Sequence, residues 1–261
     1  MLLYGIACHL LFLAVYAVLC LFVGNLWLPR TIASPASSVP AVAVVIDLAL
    51  IALFGLQHSV MARPAFKRLW TRVVPPPIER STYVLASCGM TILLMALWQP
   101  IAIDVWNVAA PGLRALLWTG FAAGWLMVPA VSLLINHFDL FGTRQVWLHF
   151  RGVPYSPLPF RTPLLYRAVR HPLYVGWMIA FWATPHMTAG QLLFAVGMTA
   201  YMLGAAVLEE RDLTAHFGEA YRRYQRQAPM FVPRLARVRT SAPSAPPRAS
   251  EACEPALERV R

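Results

Sequence analysis

The chain has 261 residues, 59% of them hydrophobic and only 13% charged, against about 25% charged residues in a soluble domain. The formal net charge of +11 raises nucleic acid as a partner, but the basic residues fall between apolar spans rather than in an aromatic-interleaved patch, which excludes it. Lipid is the main solvent, and the cysteines Cys8, Cys20, Cys88 and Cys253 show neither a CxxC pair nor a metal-ligand spacing.

A transmembrane helix takes about 20 apolar residues and a charge inside it is costly, so charge-free stretches measure the spans directly. Residues 1–29, 48–62, 81–103, 115–138 and 172–208 contain no Asp, Glu, Lys or Arg. The first stretch has no basic leader and outruns a signal-peptide core of roughly 7 to 15 residues, so it reads as a retained helix near 2–25. The second extends backward across Asp47 to give a helix near 41–61, with Asp47 at its outer end and able to reach the interface. Helices near 82–99 and 113–136 follow. The last stretch has 37 residues, too many for one span, and 183–190 supplies turn chemistry at its midpoint. The expectation there is a helical hairpin of 172–185 and 189–208.

Arg and Lys concentrate in 62–80, in 137–171 and after 208, where ten arginines stand; the other loops hold little beyond Arg30, Asp104 and Arg114. Basic loops face the cytoplasm. Both termini and both large loops are therefore expected there, in an all-α polytopic helix bundle of five to six transmembrane segments. A Pro-, Ala-, Ser- and Arg-rich end without apolar periodicity predicts a membrane domain over 1–234 and a disordered cytoplasmic tail over 235–261.

Chemistry concentrates in 163–233. Arg170 and His171 precede Pro172, which suits the first helical position. A helix start flanked by two such side chains is an anion site, or else a basic flank that fixes the helix in the bilayer. Glu209 and Glu210 follow the apolar run, and acids gain nothing from the dipole at a helix C-terminus, so the helix is expected to continue. Leu213, Phe217, Tyr221 and Tyr224 then recur at helical spacing as an amphipathic, cytosolic C-terminal helix with Arg222 and Arg226 turned away. Because the hairpin returns the chain to the same side, anion site, carboxylates, Tyr174 and the other rings share one volume. It suits S-adenosyl-L-methionine or another zwitterionic ligand; there is no Gly-rich phosphate-binding fingerprint.

Arg170-His-Pro-Leu-Tyr174 with Gly176, Glu209-Glu210-Arg211, Phe217-Gly218 and Tyr221-x-x-Tyr224 with Pro229 resemble the C-terminal signature of the isoprenylcysteine carboxyl methyltransferase-like superfamily. Gln57-His58-Ser59-Val60-Met61-Ala62-Arg63, the stretch 136–142 and Arg144-Gln-Val-Trp147 are similar to its nurim-like branch. The resemblance implies an integral-membrane methyltransferase using S-adenosyl-L-methionine, with Arg170, His171, Tyr174, Gly176, Glu209, Glu210, Tyr221 and Tyr224 at the cofactor. Within the branch it points to bacterial inner-membrane enzymes that methylate a small thiol, methanethiol, to dimethyl sulfide. Relatives acting on carboxylates commonly read Arg-Val-Pro after the tyrosine pair. Here Gln227-Ala228-Pro229 stands, which leaves the basic residue absent or displaced to Arg226.

A thiol acceptor must lose its proton, because the thiolate is the nucleophile. His58, His137 and Asp139, near the cytoplasmic ends of spans, are the candidate bases; the alternative is that they bond to neighbouring helices. A lipidic acceptor, an isoprenylcysteine carboxylate or a phospholipid amine, is the competing substrate. A nurim-like structural membrane protein is the competing non-enzyme.

Overall fold

Each charge-free stretch is helical in the computed structural model, which describes residues 1–233; the tail expected over 235–261 lies outside the described residues. In chain order the helices are α1 (Leu2–Val23), α2 (Pro40–Ala62), α3 (Pro64–Trp70), α4 (Pro76–Leu97), α5 (Pro111–Ile135), α6 (His137–Leu140), α7 (Thr143–Phe150), α8 (Pro172–Trp182), α9 (Ala189–Phe217) and α10 (Glu219–Gln227). Proline stands at the start of α2, α3, α4, α5 and α8, where its fixed φ is pre-set for a helix and its missing N–H costs nothing. α1, α2, α4, α5 and α9 are long and apolar enough to cross a membrane. The protein is a membrane helix bundle.

α4 packs against α1 and α2, α2 against α9, and α5 against α8. Between them lies an apolar core that includes Phe22, Ile51, Trp98, Phe121, Trp125, Phe181 and Phe194. The α5–α8 seam brings two backbones close together: a Cβ added to Gly124 would lie 2.5 Å from the Ala180 backbone nitrogen.

The final hairpin forms, with a shorter first arm than the expected 172–185. α8 stops at Trp182, and Pro185 explains why, since the residue before a proline is pushed out of the helical region. The chain then runs extended as β2 (His186–Thr188), antiparallel to β1 (Asp104–Asn107) with Asp104 opposite Thr188 and Asn107 opposite His186. Eleven helical residues cover only about 16 Å, so this extended segment completes the return. Non-helical backbone at such depth must be paired inside protein. Ala189 N–H donates to Ile103 O at 2.7 Å, Val108 N–H to Pro185 O at 2.8 Å and Gly190 N–H to Ile101 O at 3.1 Å. Thr188 and Gln191 then start α9 with a reciprocal capping box.

Asp47 does not reach outward as expected. It is fully buried and accepts the Gln99 N–H at 2.8 Å, capping the chain where α4 ends. At the opposite end of the bundle α9 runs on past Glu209 and Glu210 to Phe217 before Gly218, at φ 56°, breaks it from α10. That positive φ favours glycine.

Candidate active site

Arg170 and Glu210 meet where α8 begins and α9 leaves the apolar layer. Arg170 Nε donates to Glu210 Oε1 at 2.6 Å and its Nη2 to Oε2 at 3.1 Å, while Nη1 donates to the carbonyls of Ala228 (2.5 Å) and Gln225 (3.2 Å). His171 Nε2 lies 3.0 Å from Glu210 Oε1, and Gln225 Nε2 donates to Oε2 at 3.0 Å. Backbone pairing reinforces the junction, with Arg170 N–H donating to Pro229 O (2.8 Å) and His171 N–H to Met230 O (3.1 Å). Glu210 thus has four donors and no oxygen left for a ligand. Its work is to hold α8, α9 and residues 225–230 together.

Glu209 differs from its neighbour because successive helical residues point about 100° apart. Its side chain is 46% exposed against 9% for Glu210. Oε2 accepts the Tyr174 hydroxyl at 3.0 Å and lies 3.9 Å from His171 Nδ1, leaving Oε1 open. The His171 and Tyr174 rings stack at 5.4 Å and 8°. The open carboxylate oxygen of α9 and the Tyr174 ring therefore meet at the start of α8.

The remaining signature residues surround this cluster without lining an open volume. Tyr221 and Tyr224 are buried with Phe160, Tyr166, Leu213 and Phe217. The Tyr224 hydroxyl donates to Tyr166 O at 2.6 Å, and burial pushes its phenol up to about 12. Gly176 sits in the α5–α8 seam, where an added Cβ would meet Met127 and Gly124 O at 3.3 Å. Arg226 turns outward to Glu219 at 2.6 Å.

The three candidate bases separate. His58 joins Tyr83 and Ser87, with Nε2 2.8 Å from the Tyr83 hydroxyl and Nδ1 3.1 Å from Ser87 Oγ. His137 faces His9 on α1 at 3.4 Å and Ser132 at 2.7 Å. Burial, with His9 beside it, holds His137 below the ordinary imidazole value. Asp139 is ion-paired to Arg144 at 2.8 Å, in a cleft of about 470 Å³ with Lys67, Arg80, Gln145, His149 and Tyr155. His58 faces α9, with its ring 6.5 Å from that of Tyr201.

Among known proteins, the chain is 49% identical over 234 residues to a methanethiol S-methyltransferase of Crocosphaera subtropica, covering 89% of this chain and 91% of that one. A methanethiol S-methyltransferase of Mycobacterium tuberculosis is also 49% identical, over 88% of this chain and 94% of its own. The chain belongs to the methanethiol S-methyltransferase family. Nurim of Xenopus laevis is 33% identical over 64% of this chain and 61% of its own, which bears out the likeness to that branch. No family model and no solved structure matches the chain.

For a member of the methanethiol S-methyltransferase family, the residues that sequence reasoning missed are informative. Tyr83 and Ser87 lie one turn apart on α4, and polar side chains at i and i+4 inside an apolar span were the available signal. Tyr201, packed over Gly55, and Gln225, a donor to Glu210, stood in no motif. Neither had a sequence signal.

Proposed function

We propose that this chain transfers a methyl group from S-adenosyl-L-methionine to a small thiol, methanethiol in the first instance, at the bundle end that carries Arg170 and Glu209. That end faces the cytoplasm of a bacterial inner membrane, as its concentration of Arg and Lys supports. The observation that carries the donor assignment is the split between the two glutamates: Glu210 is consumed by four donors while Glu209 keeps an oxygen open beside Tyr174.

The donor set fits. S-adenosyl-L-methionine supplies an electrophilic methyl group on a sulfonium, together with a carboxylate, an amino group and ribose hydroxyls. Backbone N–H groups at the start of α8 favour the carboxylate. The open oxygen of Glu209 accepts from an amino group or hydroxyl, and the Tyr174 ring favours a cation. Arg170 and Glu210 fix this geometry, so that alignment rather than acid–base chemistry carries most of the rate.

Close packing between α2 and α9 favours the small acceptor over a lipidic one. A Cβ on Gly55 would lie 2.8 Å from the Tyr201 ring and one on Gly197 2.8 Å from Ile51, so no lateral opening for a prenyl or acyl chain lies along that seam. The test is purified protein in lipid vesicles with S-adenosyl-L-methionine and methanethiol. Dimethyl sulfide should accumulate in the headspace; methylated lipid without dimethyl sulfide would overturn the acceptor.

A further inference from the structure

Methyl transfer to a thiol releases a proton, and an alkyl thiol is mostly un-ionised near neutrality. His58 was the natural acceptor, yet both its ring nitrogens are engaged. One assignment of the hydrogens satisfies all of these contacts at once. The Ser87 hydroxyl has one proton, and it is given to the Tyr83 carbonyl at 3.0 Å. Ser87 Oγ can then only accept from His58 Nδ1, 3.1 Å away, which puts the imidazole proton on Nδ1. In that arrangement His58 Nε2 is a bare lone pair, to which the Tyr83 hydroxyl donates at 2.8 Å. This leaves the Tyr83 oxygen with its own lone pairs free of any proton and enriched in electron density by the hydrogen bond it donates. The Arg80 guanidinium over the Tyr83 ring, 4.9 Å from its centroid, favours negative charge on that oxygen further.

We propose that Tyr83, backed by His58 and Ser87, is the group that takes the proton from the acceptor thiol; this rests on the thiol-methylating reading above. As the thiol sulfur bonds to the methyl carbon, its S–H proton passes to the Tyr83 oxygen and the Tyr83 proton passes to His58 Nε2. The S–H bond and the donor's S–CH3 bond break, and the new S–CH3 and N–H bonds form. The positive charge that the sulfonium loses reappears on the imidazolium, so the net charge of the site is unchanged. The location agrees with this role. Tyr83 is buried on α4 and bonded to His58 on α2, whose ring lies 6.5 Å from that of Tyr201 on α9, the helix that carries Glu209. Tyr83 is thus linked through His58 and Tyr201 to α9, on the buried side of the bundle. Ser87 is a positioning residue: it sets the imidazole tautomer and touches no reactant.

The test compares two acceptors in the full-length protein. Methanethiol must be deprotonated, whereas hydrosulfide is substantially ionised at neutral pH and is smaller, so it enters wherever methanethiol does. Tyr83→Phe should lower turnover of methanethiol by about 100-fold, the usual scale for a lost general base, and turnover of hydrosulfide by only a few-fold. Binding of S-adenosyl-L-methionine, measured by calorimetry, should not change. Ser87→Ala, a milder variant, should lose roughly tenfold on methanethiol with the same dependence on acceptor. Nitrogen-15 NMR of His58 in the wild-type protein should report the Nδ1–H tautomer. Equal losses on both acceptors, or an Nε2–H imidazole, would overturn the proposal. Wild-type protein that methylates neither acceptor, with the Nδ1–H tautomer present, would instead count against the thiol reading.

Discussion

Cutting Arg170 away from Glu210 should cost the protein more than any other single polar change. The two side chains are 11% and 9% exposed and share two charge-assisted hydrogen bonds of 2.6 and 3.1 Å. Arg170→Met leaves the Glu210 carboxylate buried with only His171 and Gln225 as donors, and frees the carbonyls of Gln225 and Ala228. Breaking one side of a buried pair costs about 3–5 kcal/mol. Glu210→Leu strands the guanidinium and should cost a similar amount. In Arg170→Met/Glu210→Leu no charge is left unpaired, so the double variant should be less destabilised than the sum by roughly 2–3 kcal/mol. The assay is a double-mutant cycle read by SDS-induced unfolding in mixed micelles. Additivity within about 0.5 kcal/mol would refute the claim that this pair clamps the ends of α8 and α9.

Glu209→Gln should leave unfolding unchanged but weaken S-adenosyl-L-methionine about tenfold, the worth of one hydrogen bond to a charged group; calorimetry with unchanged affinity would remove Glu209 from the site. Gly124→Ala pushes a methyl into the Ala180 backbone and should cost about 1–3 kcal/mol, whereas Gly89→Ala, with nothing within 4 Å, should be neutral or slightly stabilising; thermal unfolding separates them. His137 has its folded-state value lowered, so it is neutral in both states above about pH 6.5. Below that the unfolded chain takes up the proton first and stability falls with pH until the lowered folded-state value is passed. His137→Gln should flatten the decline in Tm between about pH 6.5 and 5.5; parallel slopes would contradict it.

The spans were legible because a charge is costly in lipid, so that uncharged stretches locate the helices, although α4 starts at Pro76 and α9 runs on to Phe217, beyond the stretches that marked them. Pairing partners were not. β1 and β2 are too short to show periodicity and exist because each satisfies the other's backbone, and Pro185 ends α8 for a reason that a hydropathy count does not register. Asp47 looked interfacial because it lies near a helix end; its burial depends on Gln99, 52 residues away. In the site, the motif brought Arg170, His171, Tyr174, Glu209 and Glu210 together but could not divide their labour. Which glutamate faces the arginine is set by the rotation of α9, a tertiary quantity. Likewise residue type suggested His58, His137 and Asp139 alike as bases, and only their partners, two hydroxyls for His58 and an arginine for Asp139, tell these apart.

The central claim is that the start of α8 and the Glu209 end of α9 hold the methyl donor. Photocrosslinking with a photoreactive S-adenosyl-L-methionine analogue, followed by peptide mapping, tests it most directly. Adducts should fall within 166–176 and 201–231 and be competed away by the unmodified donor. Competable adducts confined to the cleft of Lys67, Arg80, Asp139 and Tyr155 would contradict it.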